Sequence, residues 1–360
     1  MRKKLSTGYD VGSFFMKKFR SIDEQIGILK ERGLSIPDQD KAYNYLLTNN
    51  YYNIINGYSK YFQEIENRYI KGTSFDEIFR LYFFDKEFKQ ILLNAILAAE
   101  HHLKSIVAYR FAEEYPNKKY AYLDTSCYDT TKILNIGFNI SKISKIINNN
   151  KKIDNNAIYH YYKQHHDVPI WVIVDFLDFG ALMGIILNIP VTLQNKVAKD
   201  LTRFIRDNNP NFNSVFSPET MCSFIKGIHE IRNVCAHNNK LLDFKTRSDL
   251  KYFEELHSKY KILKNRERRS VYDIFIVLQC FLSHTEYAIL HNTMLKRFKN
   301  LSNKLNTLEV SSILTCLGFP EDWIKVEKLS QSSHCQAQVQ TKTQNTIMCS
   351  TESFGNSIEH

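Results

Sequence analysis

Apolar residues recur at intervals of three and four along most of this chain, and helix punctuation rather than strand alternation separates the runs. Ile26, Ile28 and Leu29 stand among charged residues between Ile22 and Arg32, and Gly33 supplies a C-terminal cap. Past the turn at Pro37, Ala42 to Phe62 mixes tyrosines with aliphatic residues and asparagines, and Gly57 is the expected place for a bend or break. Ser74-Phe-Asp-Glu77 has the form of a capping box, in which Ser74 and Glu77 satisfy each other's free backbone donors. The pattern that follows, through Leu81, Phe84, Phe88, Leu92, Ile96 and Leu103, predicts a long helix from Phe75 towards Glu114.

Residues 116–168 are rich in Asn, Lys and Tyr and read as a surface excursion with short helices. Pro169 suits the first turn of an apolar helix, and Ile170 to Val191 reads as one buried segment. Asp175 and Asp178 inside it argue against a membrane span, at a cost of about 2.5–3.5 kcal/mol each on insertion scales. Gly180 and Gly184 in the same segment have the spacing of a close helix crossing. Ser217-Pro218 then opens a helix whose stripe of Met221, Phe224, Ile225, Ile228, Ile231 and Cys235 runs to about His237. Val271 to Leu301 reads as a further helix, and from Gln331 onward the chain is too polar to order itself. The organisation expected is a basic arm over residues 1–21, a single all-α domain over 22–330 and a polar tail over 331–360.

Composition narrows the function without naming it. A chain of 360 residues with 43% hydrophobic and 24% charged content, 12 Gly and 7 Pro is neither fibrous nor largely disordered. Its net charge of +10 favours a polyanionic partner. Seven widely spaced cysteines without a CxxC pair offer no zinc site, and they fit a reducing cytoplasm. The basic N-terminus lacks the apolar run of a secretory signal.

The candidate chemistry is in Ile231-Arg-Asn-Val-Cys-Ala-His-Asn-Asn-Lys240. Arg232 and His237 are five apart and diverge by about 140° on an ideal helix, whereas Asn233 and His237 share a face. A histidine that titrates near neutrality can move a proton between a ribose 2′-hydroxyl or a leaving 5′-oxygen and solvent. A guanidinium can hold the phosphate as charge develops on it. The 2′-hydroxyl is then the nucleophile, so the kit suits RNA cleavage without metal or other cofactor. Spacing alone leaves the matter open, because roughly half such a match arises by chance at this composition, and the same residues could simply satisfy a helix end.

Two other clusters are candidates. Glu100, His101 and Lys104 lie on the long helix, either as a solvated face containing an i,i+4 pair or lining the same cleft. Lys264, Arg266, Arg268 and Arg269, with Lys259 and Lys261, form the densest basic run, either a solvated loop or a track for an RNA backbone. His165-His166 has no Cys or carboxylate at ligand spacing, so no metal site is expected there.

Five segments in order resemble the Abi-like abortive infection family. They are Gln25-Ile-Gly-Ile-Leu-Lys-Glu-Arg-Gly-Leu34, Asn50-Tyr-Tyr-Asn-Ile-Ile-Asn-Gly-Tyr58, Ser74-Phe-Asp-Glu-Ile-Phe-Arg-Leu-Tyr82, Ile231 to Lys240, and Leu317-Gly-Phe-Pro-Glu-Asp-Trp323. The resemblance implies an all-α, HEPN-type helical bundle with additional N- and C-terminal helices, in bacterial proteins associated with phage resistance. It further implies that Arg232 and His237 are an RxxxxH pair with Asn233 as polar companion, and that two such motifs meet across a homodimer. Lys240 departs from the arginine expected there, which keeps the charge but loses the bidentate fork for phosphate. The function implied is a cytoplasmic, metal-independent endoribonuclease without a membrane partner. The alternatives are a catalytically silent protein that binds RNA or a guide RNA, or a toxin restrained by an antitoxin and released by a phage trigger.

Overall fold

The computed structural model describes residues 19–331, and helices account for nearly all of its regular structure. The expected arm and tail lie almost wholly outside the described residues. The chain divides into two compact units, one of residues 19–82 with 306–308, the other of 83–305 with 309–331.

In the smaller unit, α1 (Ile22–Glu31) starts at a Ser21–Glu24 capping box and α2 (Gln39–Asn49) at the Asp38 side chain. Gly33, at φ 89°, ends α1 as the sequence suggests. The break expected at Gly57 comes earlier, at Asn50, whose φ of 64° is left-handed, while Gly57 keeps right-handed helical geometry. A hairpin of β1 (Gln63–Ile65) and β2 (Arg68–Tyr69) follows, which the helical reading of this stretch did not include. Ser74 and Glu77 make the expected capping box. The other Glu77 oxygen accepts from the amides of Asn306 and Thr307 at 2.7 and 2.8 Å, which brings these distant residues into this unit.

The 40-residue α3 (Phe75–Glu114) contributes to both units. In the larger unit it is followed by α4 (Ile133–Asn150), α5 (Ala157–His165), α6 (Ile170–Phe176), α7 (Phe179–Asn188), α8 (Val191–Asn208) and α9 (Pro218–Ala236). Then come α10 (Glu254–His257), α11 (Val271–Val277), α12 (His284–Ser302) and α13 (Val310–Cys316). α4 is a full amphipathic helix, burying Ile136, Asn139, Ile143 and Ile147 inside the stretch expected to be a surface excursion.

Two apolar segments that read as continuous are each split by a cap. Asp178 accepts from the Ala181 amide at 2.8 Å and starts α7 afresh, dividing Ile170 to Val191 in two. A Ser283–Glu286 capping box likewise starts α12 and separates it from α11. The glycine pair on α7 makes the expected close crossing within the chain. A Cβ on Gly184 would lie 2.4 Å from Asn139 Oδ1 of α4, and one on Gly180 would lie 3.4 Å from His229 Nε2 of α9. Phe275, Phe298, Phe319 and Trp323 pack their rings together, so the apolar residues of the Leu317–Trp323 segment belong to the core.

Among the described residues one helix, α3, is long and apolar enough to cross a membrane by length and composition. Its turns carry buried Asp85 and Lys89, each hydrogen-bonded inside the larger unit, as befits the central helix of a packed core.

Candidate functional site

Ser217 caps α9, Pro218 fills its first turn, and all six residues of the expected stripe are buried, so the polar residues of its last turns are held on the opposite side. The helix closes in a Schellman motif. Asn239 N–H donates to Val234 O at 3.0 Å, Asn238 N–H to Cys235 O at 3.3 Å, and Asn238 is left-handed at φ 54°. His237 is thus the C-cap residue, and its exposed side chain has no hydrogen bond or ion pair among the described residues.

The segment beyond the cap is gripped from α3. Lys89 Nζ, 4% exposed, donates to the carbonyls of Asn238 and Asn239 at 3.4 and 3.1 Å. It pairs at 3.0 Å with Asp85, which is 1% exposed and accepts from the amides of Leu241 and Leu242 at 3.1 Å each. A buried ion pair of this kind survives only because its remaining donors and acceptors are satisfied. Here the satisfying groups are the backbone next to His237. Asp85 and Lys89 are spaced i,i+4 and fall among the core positions Leu81, Phe88 and Leu92 rather than on a solvated face. That misplacement of charge in an apolar stripe is the sequence signal by which they could have been found.

One turn inside the cap lies a polar cluster drawn from three helices. The Arg232 guanidinium donates to Asn233 Oδ1 at 3.5 Å, and Asn233 Nδ2 meets His229 Nε2 at 3.3 Å. Asp178, the cap of α7, pairs with Lys142 of α4 at 2.8 Å. Burial acts to raise the Asp178 carboxyl, yet Lys142, the Ala181 amide and Arg232 together hold it below its ordinary range. Burial, and then the Arg232 charge, lower the His229 pKa below the ordinary histidine value. His229, Asn233 and His237 form an i, i+4, i+8 ladder that was present in the sequence but obscured by the apolar stripe around it. Burial also pushes the Cys235 thiol up to about 12, which leaves it inert in the motif helix.

The remaining candidates are spread more widely. Glu100 is buried and pairs with Lys104 at 3.1 Å, while exposed His101 lines a groove of about 740 Å³ with Tyr109 and Trp171. No hydrogen bond or ion pair joins these three residues to Arg232, Asn233 or His237 among the described residues. Lys240 pairs with Asp243 at 3.6 Å. In the basic run, Arg268 is buried, with its guanidinium spent on the carbonyls of Leu250, Lys264 and Arg266. It holds its own loop rather than facing a phosphate. Arg266 pairs with buried Asp273 at 3.6 Å, and Arg269 bonds Thr246 O and Glu267. Lys261 and Lys264 remain exposed. Among the described residues, no group of three or more His, Cys, Asp or Glu is arranged to hold a metal.

The end of α9 therefore offers a guanidinium held by Asn233, a half-buried imidazole beside it and an exposed imidazole at the cap. That set can bind an anion and move a proton. A family model described as Abi-like protein matches residues 44–243, which covers more than half of the chain and includes the whole of α9. Neither a curated protein nor a solved structure matches.

Proposed function

The chain belongs to the Abi-like protein family, and from that premise we propose that it serves abortive infection as a HEPN-type endoribonuclease whose site is Arg232, Asn233 and His237. The observation that supports this most is the end of α9, where an aimed arginine and an exposed histidine sit beside backbone locked by a buried ion pair. His237 takes the proton from a ribose 2′-hydroxyl, or returns one to the leaving 5′-oxygen. Arg232 holds the phosphate while the 2′-oxygen attacks phosphorus and the bond to the 5′-oxygen breaks. The products are a 2′,3′-cyclic phosphate and a 5′-hydroxyl.

One motif offers a single exposed histidine, whereas the displacement needs a group that takes a proton and another that gives one. Two copies related by a twofold axis supply both. The test incubates purified protein with total and transfer RNA in excess chelator, beside His237→Ala and Arg232→Ala. Cleavage by the wild type alone, with cyclic phosphate ends and a dimer in light scattering, is expected. Cleavage of DNA, strict magnesium dependence or full activity in either variant overturns the mechanism. Binding of RNA without cutting would favour the silent RNA-binding alternative.

A further inference from the structure

We infer that His229, through Asn233, is a positioning residue that aims the Arg232 guanidinium and releases it when the imidazole takes up a proton. The inference rests on the nuclease reading for its functional consequence and on hydrogen-bond direction for its mechanism.

Arginine carries only donors, so Asn233 must turn its Oδ1 to Arg232. That fixes the amide, and its Nδ2 then donates towards His229 Nε2. A ring nitrogen that accepts has no proton, so His229 is neutral with its proton on Nδ1. The chain of direction runs without a free choice from guanidinium to amide to imidazole. Protonation reverses it. An imidazolium presents N–H at both nitrogens, and Asn233 then faces donor against donor. Flipping the amide to accept from His229 turns its NH2 on Arg232 and loses that contact instead. The first arrangement sets Asn233 against a repelling neighbour and the second releases Arg232, so protonation loosens the hold on the guanidinium.

The surroundings favour the neutral ring. Phe179 packs edge-on to the imidazole at 5.8 Å between centroids, and Gly180 leaves room for Nε2 that a methyl group would crowd. The charged groups facing His229 are Arg232 and Glu230 on its own helix, Asp178 from α7 and Lys142 from α4. Asp178, already paired with Lys142, and Glu230 favour the charged ring, but burial and the Arg232 charge outweigh them and disfavour a second positive charge. Asn233→Asp should reverse this balance, because a carboxylate only accepts and would draw a proton onto Nε2.

The experiment is nitrogen-15 NMR of histidine-labelled full-length protein across pH, run in parallel with RNA cleavage. In the wild type the His229 ring should show a protonated Nδ1 and a bare Nε2 at neutral pH, and Asn233→Asp should shift its titration upward. His229→Gln, whose Oε1 can still accept from Asn233 and which does not titrate, should cut RNA at near wild-type rate at alkaline pH and lose less activity on acidification. His229→Leu removes the acceptor, strands the Asn233 Nδ2 donor and should lower cleavage by about five- to a hundredfold, the range expected for leaving one buried donor unpaired. A protonated Nε2 at neutral pH, a titration unmoved by Asn233→Asp, or an unchanged acid limb in His229→Gln overturns the inference in a protein that still cuts RNA. An inert protein with the neutral-ring signature intact overturns the nuclease reading instead.

Discussion

Replacing Lys89 by methionine removes one charge from a pair that water barely reaches. The ammonium makes three contacts, at 3.0 Å to Asp85 and at 3.1 and 3.4 Å to the carbonyls of Asn239 and Asn238. Methionine matches the length of the stem, so packing changes little, but the Asp85 carboxylate keeps its burial and loses its counter-ion. Breaking one side of a buried pair costs about 3–5 kcal/mol, against about 0–1 kcal/mol for exposed pairs such as Lys245–Glu267. Lys89→Met should therefore lower the urea-unfolding free energy of the larger unit by about 3–5 kcal/mol. Lys245→Met should move it by less than about 1 kcal/mol. Asp85→Asn combined with Lys89→Met should cost less than the two single changes added together, because the second change removes the charge that the first left stranded. Hydrogen exchange gives the local readout, since the amides of Leu241 and Leu242 point at Asp85 and should lose protection in Asp85→Ala before the rest of the unit does. A Lys89→Met protein as stable as the wild type, or strict additivity in the double variant, would refute a pair desolvated and coupled in this way.

Three further outcomes follow from the packing and charge. Gly184→Ala should destabilise by about 1–3 kcal/mol, because its Cβ falls 2.4 Å from Asn139 Oδ1, whereas Gly27→Ala in open space on α1 should be neutral or stabilising; thermal unfolding ranks the two. Burial lowers the pKa values of His229, His257 and His291, so below about pH 6.5 the unfolded chain binds protons that the folded one refuses. Stability should fall as pH drops through that value and towards the folded pKa values, and a urea midpoint level between about pH 7.5 and 5.5 would contradict this. Arg268→Ala should unfold its loop with a loss read by denaturation, while Lys264→Ala should leave stability unchanged and reduce the salt dependence of RNA binding by about one ion per site.

Much of this architecture was legible where local chemistry and tertiary burial agree. The Ser74 and Ser217 starts, the long α3 and the buried stripe of α9 all follow from spacing and capping residues. The readings that failed did so for identifiable reasons. α4 was hidden because Asn and Lys on its outer face outnumber the isoleucines that bury the inner one. Ile170 to Val191 read as one helix because Asp178 counted there only as a charge against a membrane span, whereas its side chain acts as a helix cap. At the site, Arg232, Asn233 and His237 could be singled out from the chain alone. Their supports come from other helices: Asp85 and Lys89 stand out in the chain only as charges inside an apolar stripe, and nothing in the sequence says which backbone they hold or that Asp178 and Lys142 meet beside Arg232.

The left-handed turn at Asn238 has a bearing on how relatives of this chain should be compared. At φ 54° a side chain with a branched or bulky Cβ is strained, and glycine, asparagine and aspartate are the residues that tolerate the position. The neighbour of the exposed histidine is therefore restricted by backbone shape. Strict retention of asparagine or glycine there across an alignment would record the need to end a helix at that point, and it would carry no information about catalysis. Variation at Arg232, Asn233 or His237 is the comparison that bears on chemistry, because right-handed helical backbone and a C-cap accept many residue types. Conservation at those three positions would have to come from what the side chains do.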